Sequence, residues 1–599
     1  LQQEKKVKNI SWQIKNLRTI HQTATCLFMA FLPVSLVSAQ TVIPADAKAT
    51  CTVPPSTFKT WFKTGSPSLN GEVLPANSVT FPNIPNCSFY QWSEQMYLWL
   101  TSPTPASYGG GKGLIFDSAA FFDVTAPDAN GNRQYVRHQS GTPTLINVRA
   151  SQVGPNGLQT IIDKTGKMFE VLPAPTAANG KSLIRNKAGK FVEVDHITVG
   201  SDNKAVFFDA KKNKITPSAT MLDATLAARV APHLLGMNLA VKSATTQNLV
   251  QGFKSGVCPD GGCEGGGPIF VNSQGVTIVP TQGQAGDAAV LMSKAKSLVY
   301  YATMVNDVFA YLQTGTKNNA FNPAMTQFPT TQSQLNQIIA YAQTKGVTFP
   351  DPNALAIEVK TSWIDATGLD TSKYITTVAT VPTYNQTTAL WTPLGTKTMT
   401  LAMVGIHVVG SAASHPEMIW ATFEHINNAP NGAYSYTKAD GTTGNVAQSA
   451  SGTWLFSATN SASATYNVPH MTFVSPNIVA ASGQTISPSD TLRVLSWGMP
   501  GTATSSNTEV ISINNSIMGQ LVAGDVRGNY MMTGATWTKN GASTSPTSNQ
   551  VGTSQLANTT METYQQATTA AGPGSNCFSC HTSNLFSVSH IFNSLVPLQ

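Results

Sequence analysis

The sequence predicts an α+β fold: a β-rich, mixed, multi-layer body with several helices and a short helical segment near its C-terminal end. Three observations carry this expectation. Strand-like runs bounded by Gly, Asn and Asp recur along the chain, notably Phe191–Val194, Ala205–Phe208, Ile357–Lys360 and Met399–Val409. Runs with helical spacing stand among them. Only 11% of the residues are charged, while Thr, Ser, Asn, Gln and Gly are abundant, a surface composition typical of exported β-rich proteins and unlike that of a disordered chain.

Residues 1–22 are polar and basic (Lys5, Lys6, Lys8, Lys15, Arg18), and an apolar run from Ala24 to Val37 ends at Ser38-Ala39-Gln40. This order reads as a secretory signal, segment 1–39, cleaved after Ala39, with Cys26 as part of the leader. The run is shorter than the ~20 residues of a membrane helix, and Pro33 interrupts it. No membrane span is therefore expected in the mature chain, and its expected location is periplasmic or extracellular. The net charge of +7 includes +4 from residues 1–39 (five Lys/Arg, one Glu), leaving +3. So weak a charge argues against nucleic acid as a partner.

The body is expected to divide near residue 285, into a β-rich N-terminal domain (40–285) and a central α+β domain (286–538). In chain order, Phe89–Leu100 is an aromatic helix, ended by Ser102-Pro103, and residues 181–215 form hairpins. Leu291, Ala295, Leu298, Ala302, Val305, Phe309 and Leu312 keep alternating +4 and +3 steps and predict one long helix. A second helix is expected over Gln332–Thr344 and strands over 354–410. Residues 539–555 read as a polar linker before a C-terminal segment, 556–599. Cys51, Cys87, Cys258 and Cys263 remain once Cys26 and the two cysteines near the end are set aside. An even number in an oxidising compartment predicts disulfides, Cys51–Cys87 and Cys258–Cys263 being the simplest of three connectivities.

Those two cysteines belong to the most informative five residues, Cys577-Phe-Ser-Cys580-His581. With 7 Cys and 10 His in 599 residues, chance predicts about 0.001 such motifs per chain. CxxCH is the attachment pattern of haem c: two thiols three positions apart take the two vinyl groups, and His581 offers its imidazole to the iron. One covalent haem c is thus the expected cofactor, with Cys577, Cys580 and His581 as its site. The 18 residues after His581 contain no Met, so a standard class I cytochrome c fold is not expected, and preceding parts of the chain must cover the group. Leu585, Phe586, Ile591 and Phe592 can shield one side. His590 is a candidate second axial ligand, as are Met561, Met531, Met532, Met499 and His470; an open iron face is the alternative.

A second constellation lies at 404–430. His407, His415, Glu417, Glu424 and His425 fall within 19 residues. Val404–Val409 alternates as a strand, and Ser414 with Glu417 reads as a capping box, predicting a helix from about 415 to 426. The cluster can be an acid–base or metal site lining the haem pocket, or a set of buried side chains bonded to backbone. Glu358, Lys360 and Trp363 form a weaker polar group. The glycines at 109–113 lack the spacing of a phosphate loop.

On W-S-E-Q-M-Y-L-W-L (92–100), E-V-K-T-S-W (358–363), I-H-V-V (406–409), W-A-T-F-E-H-I-N-N-A-P (420–430), N-T-T-M-E-T-Y-Q-Q (558–566) and C-F-S-C-H (577–581), the chain resembles exported bacterial proteins grouped as "cytochrome c family", which have a long body and one terminal haem motif. The resemblance spans most of the mature chain and implies haem c and export, but no substrate. The functional expectation is an exported monohaem redox protein. It would transfer electrons to or from a redox partner protein or a small-molecule donor or acceptor. A haem-dependent oxidase or peroxidase is the enzymatic alternative, and a binding module with a structural or sensory haem the non-catalytic one.

Overall fold

In the computed structural model, the described residues are 43–82, 86–110, 113–125, 132–138, 144–145, 160–162, 168–175, 177, 181–218, 249–253, 269–272, 274–278, 289–458, 465–474, 477–481, 483–499, 501–545, 548–553, 558–566, 576–581 and 585–599. The expected leader and the Cys258–Cys263 loop lie outside them. Residues Thr41–Gln599 form one compact unit, a β-rich α+β body as the sequence predicts.

A 12-stranded sheet organises it. Its main strands are β1 (Phe121–Val124), β2 (Tyr135–Arg137), β3 (Tyr300–Asn306), β4 (Ile357–Asp365), β5 (Thr376–Asn385), β6 (Leu390–Ala412), β7 (His415–His425), β8 (Tyr530–Thr538) and β9 (Gln550–Gly552). They run β2-β1-β3-β4-β6-β7-β8-β9, every neighbour antiparallel, with β5 folded back on β6. Because β1 pairs with β3, Phe121 opposite Asn306, the sheet itself crosses the boundary expected near residue 285. The stretch expected as a linker at 539–555 contains β9, which returns onto β8 with Val551 opposite Trp537. Its Ser, Asn and Gly residues serve a hairpin connection as readily as a tether. The expected hairpins over 181–215 form, Leu183–Arg185 with Phe191–Glu193 and His196–Val199 with Ala205–Phe208.

Among the described residues, the helices that bear on the site are α1 (Asn86–Leu100), α2 (Asp307–Lys317), α3 (Gln332–Thr344), α4 (Thr504–Met518) and the single turn α5 (Cys577–Cys580); a further short helix, Pro55–Trp61, precedes them. Helix α3 fills its predicted span and opens on a capping box of Thr331 and Gln334. Among the described residues, no helix is long and apolar enough to cross a membrane. Cys51 and Cys87 are joined by a disulfide that ties the start of the body to α1.

Two predicted helices are corrected. The long helix over 291–312 is a strand followed by a helix. Asn306 breaks it, because its side-chain oxygen accepts from Phe309 N at 3.0 Å and from Ile357 N at 3.0 Å, capping α2 and fixing the end of β3 together. Tyr300–Val305 sits between β1 and β4, whose ladders outweigh the helical spacing of its apolar residues. The helix expected over 415–426 is strand β7. Ser414 takes φ 65° in the two-residue turn between β6 and β7. Glu417 does not cap; it accepts from Thr538 N at 3.1 Å and Thr538 Oγ1 at 2.8 Å on β8. Ile419, Ala421 and Phe423 alternate with Trp420, Thr422 and Glu424, and two flanking strands select period 2 over period 3.6.

Candidate functional site: a polar cleft beneath the CxxCH turn

The central strands present two faces. On one, Ile357, Val359, Ile406, Val408, Ile419, Ala421 and Phe423 pack in the main core with Trp92, Met96 and Tyr97 of α1. Tyr97 stacks on Phe423 with ring centroids 4.4 Å apart. The opposite face carries three rows across β3, β4, β6 and β7. They are Val305–Glu358–Val409–Trp420, Thr303–Lys360–His407–Thr422 and Tyr301–Ser362–Gly405–Glu424.

Two C-terminal segments cover this second face. Residues 558–564 cross the third row. Asn558 donates to Thr422 Oγ1 and Phe423 O, both at 2.9 Å. The Thr560 hydroxyl lies 2.8 Å from that of Ser362, and Tyr301 OH donates to Thr560 O at 2.7 Å. Gly405 permits this approach, since a Cβ there would lie 2.4 Å from Thr560 Oγ1 and 2.8 Å from Ser362 Oγ. Residues 585–599 cover the first row. Phe586 and Phe592 stack at 4.0 Å and pack with Phe309 of α2, Phe328 and Val409. Gln313 of α2 donates to Leu595 O at 2.6 Å.

Between these covers the middle row stays half-exposed: Thr303, Lys360, His407 and Thr422, with Glu358 and Trp420 beside them. Central strands of a covered sheet are normally buried, so this row marks a cleft. Helix α5 and His581 lie at it. Cys577 and Cys580 begin and end the single turn, and His581 follows, its N–H bonded to Cys577 O at 3.0 Å. The His581 imidazole packs against Trp420 with ring centroids 4.1 Å apart. Its Nδ1 donates to Val588 O at 2.7 Å, which leaves the lone pair on Nε2. Burial, then His590, then Lys360 and His407 hold this imidazole well below its ordinary pKa, against the pull of the Val588 carbonyl, so it stays neutral.

That donor set fits the haem expected from the sequence. A neutral imidazole with Nδ1 fixed on a backbone carbonyl is the orientation that metal-binding histidines adopt, and two cysteine positions one turn apart suit two vinyl groups. His590, the nearest of the candidate second ligands in sequence, stands beside His581. Its ring lies on that of His581, centroids 4.0 Å apart and planes at 19°. Of the candidate methionines, Met531 and Met532 lie in the core under α1, and Met561 packs with Tyr301 and Tyr564 on the cleft face.

The 404–430 constellation separates. His407, on β6, faces the cleft and donates from Nε2 to Glu562 Oε1 at 3.1 Å, with side chains 19% and 12% exposed. Glu424 is buried in a network with Arg493, Asn428 and Thr559. His415 pairs with Glu417 at 2.7 Å in the core. His425 stacks on Tyr374 at 4.1 Å; its Nε2 donates to Lys373 O and its Nδ1 accepts from Asn427 N, each at 3.2 Å. Both nitrogens are thereby committed to backbone, and burial holds the ring neutral, its pKa pushed down to about 4. Among the described residues no three His, Cys, Asp or Glu side chains converge as a metal set.

Sequence reasoning named Glu358 and Lys360 but gave no reason to join them to His581. It missed Trp420 and Glu562 as site residues. Reading 415–425 as a strand would have placed Trp420 on the face of His407; nothing in the sequence brings Glu562 there. Five of the six stretches behind the family resemblance meet at this face or in the segments covering it, and 92–100 lies behind the sheet. No family model matches the chain, and neither a curated protein nor a solved structure matches it.

Proposed function

We propose that this chain is an exported monohaem redox protein, its haem c attached through Cys577 and Cys580 with His581 as axial ligand. The observation that carries the reading is the CxxCH turn, followed by an imidazole whose Nδ1 proton is held by Val588 O at 2.7 Å. Bound haem supplies one-electron chemistry at an iron whose potential follows its ligands and surroundings. The chain's own part is to orient His581, to exclude water with Phe586 and Phe592, and to keep Trp420 against the imidazole. The Cys51–Cys87 disulfide is compatible with an oxidising compartment and supports export to the periplasm or beyond.

A second reading, a haem-dependent oxidase or peroxidase, is favoured by the half-exposed acid–base groups Lys360, His407 and Glu562 beside His581. Absorption spectra of the oxidised and reduced protein, with and without carbon monoxide, test both. A six-coordinate low-spin spectrum unchanged by carbon monoxide supports electron transfer alone. Carbon monoxide binding by the reduced protein supports the enzymatic reading, and the absence of any haem spectrum overturns both.

A further inference from the structure

The carbonyl that fixes His581 is itself fixed from the sheet. Val588 O accepts the Nδ1 proton of His581 at 2.7 Å. This carbonyl belongs to the peptide joining Val588 to Ser589, and that peptide is held from two further sides. Its N–H, on Ser589, donates to Phe586 O at 3.1 Å and closes the 3₁₀ turn Phe586–Val588. The hydroxyl of Ser589, a fully buried residue, donates to Glu358 Oε2 at 2.6 Å. That length is typical of a hydroxyl on a carboxylate, a charge-assisted bond. Glu358 stands on β4 between Val305 of β3 and Val409 of β6, so its backbone is paired on both sides. Around the turn, Phe586, Val588 and Phe592 meet the front face through apolar contact. Apolar packing is non-directional: it sets the distance of a segment from the sheet and leaves the rotation of one peptide open. The Ser589–Glu358 bond is directional and ends on a rigid strand. A rotated peptide would turn Val588 O away from His581, and the imidazole could then carry its proton on Nε2, the nitrogen with which it would bind a metal.

We propose that Glu358 is a positioning residue for the imidazole of His581: through Ser589 it aims the Val588 carbonyl at Nδ1 and keeps the lone pair on Nε2. The orienting role belongs to the polypeptide alone, whereas its effect on an iron rests on the function proposed above. Metal-binding histidines are commonly oriented by a direct carboxylate or carbonyl partner. Here the carboxylate acts one peptide further out, through a hydroxyl and a carbonyl. An imidazole whose Nδ1 proton is held is the more basic ligand, and a more basic ligand favours ferric over ferrous iron.

The test uses the full chain as wild type, Glu358→Ala, Ser589→Ala and Glu358→Gln, each haem-loaded and each made haem-free by Cys577→Ser with Cys580→Ser. Nitrogen-15 chemical shifts of labelled histidine read the His581 tautomer in the haem-free chains, with His581→Gln identifying its signals. In the wild type the form protonated on Nδ1 should predominate. Glu358→Ala and Ser589→Ala should each lower the ratio of the Nδ1–H to the Nε2–H form by about tenfold, the loss of one charge-assisted bond. Both substitutions together should do no more than either alone. Ser589→Ala leaves every charge in place, so equal effects assign the shift to the bond and not to the field of the carboxylate. Glu358→Gln retains an acceptor and should keep the ratio to within about threefold of wild type. In the loaded chain Ser589→Ala should raise the reduction potential. The proposal is overturned by a wild-type His581 protonated on Nε2, by a Ser589→Ala ratio equal to wild type, or by a loaded Ser589→Ala chain at the wild-type potential. The first of these needs no variant to fold. A melting temperature lowered by Glu358→Ala with the tautomer unmoved also overturns it and leaves Glu358 a structural residue alone. A colourless wild type ends the haem reading, and the tautomer of that same chain still decides the role of Glu358.

Discussion

The two faces of the central sheet come from the same strands and yet do opposite work. Behind it, Trp92, Tyr97 and Phe423 make a dry aromatic layer whose side chains carry no unsolved chemistry. In front, one residue away along each strand, Lys360, His407 and Trp420 stay half-exposed under two C-terminal segments. The difference teaches that the sheet is a partition: its rear face is apolar throughout, while its front face sets a half-buried polar row between two apolar clusters, one around Phe586 and Phe592 and one around Met561 and Tyr564. Substitutions behind the sheet should therefore move the melting temperature and leave the proposed haem site alone, whereas substitutions of Lys360, His407 or Trp420 in front should alter the spectrum more than the stability.

The largest effect is expected behind the sheet. Trp92→Ala should cost about 3–5 kcal/mol, measured by denaturant unfolding, with the spectrum of the surviving folded protein unchanged. A spectral change without loss of stability would break the comparison. In front, Arg493→Met should cost a similar amount, about 3–5 kcal/mol, because it strands the buried Glu424 carboxylate. This is the place where the front face also bears load, and a small effect there would sharpen the division between the faces.

His425 supplies a pH test of the rear side. Its pKa is about 4 in the folded chain, against 6.5 for the free imidazole. The unfolded chain therefore takes up a proton between pH 6.5 and about 4 that the folded chain does not. Stability from this group is present above pH 6.5 and falls as the pH drops through that window, by roughly 3 kcal/mol in all. His425→Ala should flatten this part of the stability profile and leave haem reactivity unchanged; altered reactivity would place His425 in the site.

The fold was legible where one periodicity had no rival. Gln332–Thr344 carries helical spacing and a capping box, and it is a helix of that span. Residues 415–425 carry both signals, and only the pairing of β7 with β6 and β8 decides between them. The motif Cys577–His581 was legible because its chemistry lies in five consecutive residues. The cleft was not, because Lys360, His407, Trp420 and Glu562 are neighbours only through strand register and chain crossing. Glu424 and His425, adjacent in sequence to site-like partners, end on opposite faces of one strand.

Smaller effects should fall in front. Gly405→Ala should cost about 1–3 kcal/mol by overpacking against Thr560 and Ser362, and it should loosen residues 558–564, read as faster amide exchange there. His407→Gln, which keeps a donor for Glu562, should change stability by about 1 kcal/mol or less while altering the haem absorption spectrum. A spectrum identical to wild type would move His407 out of the site and leave the front face polar without a function.

The central claim is a haem joined through two thioethers to Cys577 and Cys580. The mature protein, purified from cells that carry the cytochrome c maturation machinery, is extracted with acidified organic solvent. The red colour is predicted to stay with the polypeptide, and to be lost to the solvent when Cys577 and Cys580 are both replaced by Ser. Colour that leaves the wild-type chain, or a wild-type chain that never carries any, would contradict the account.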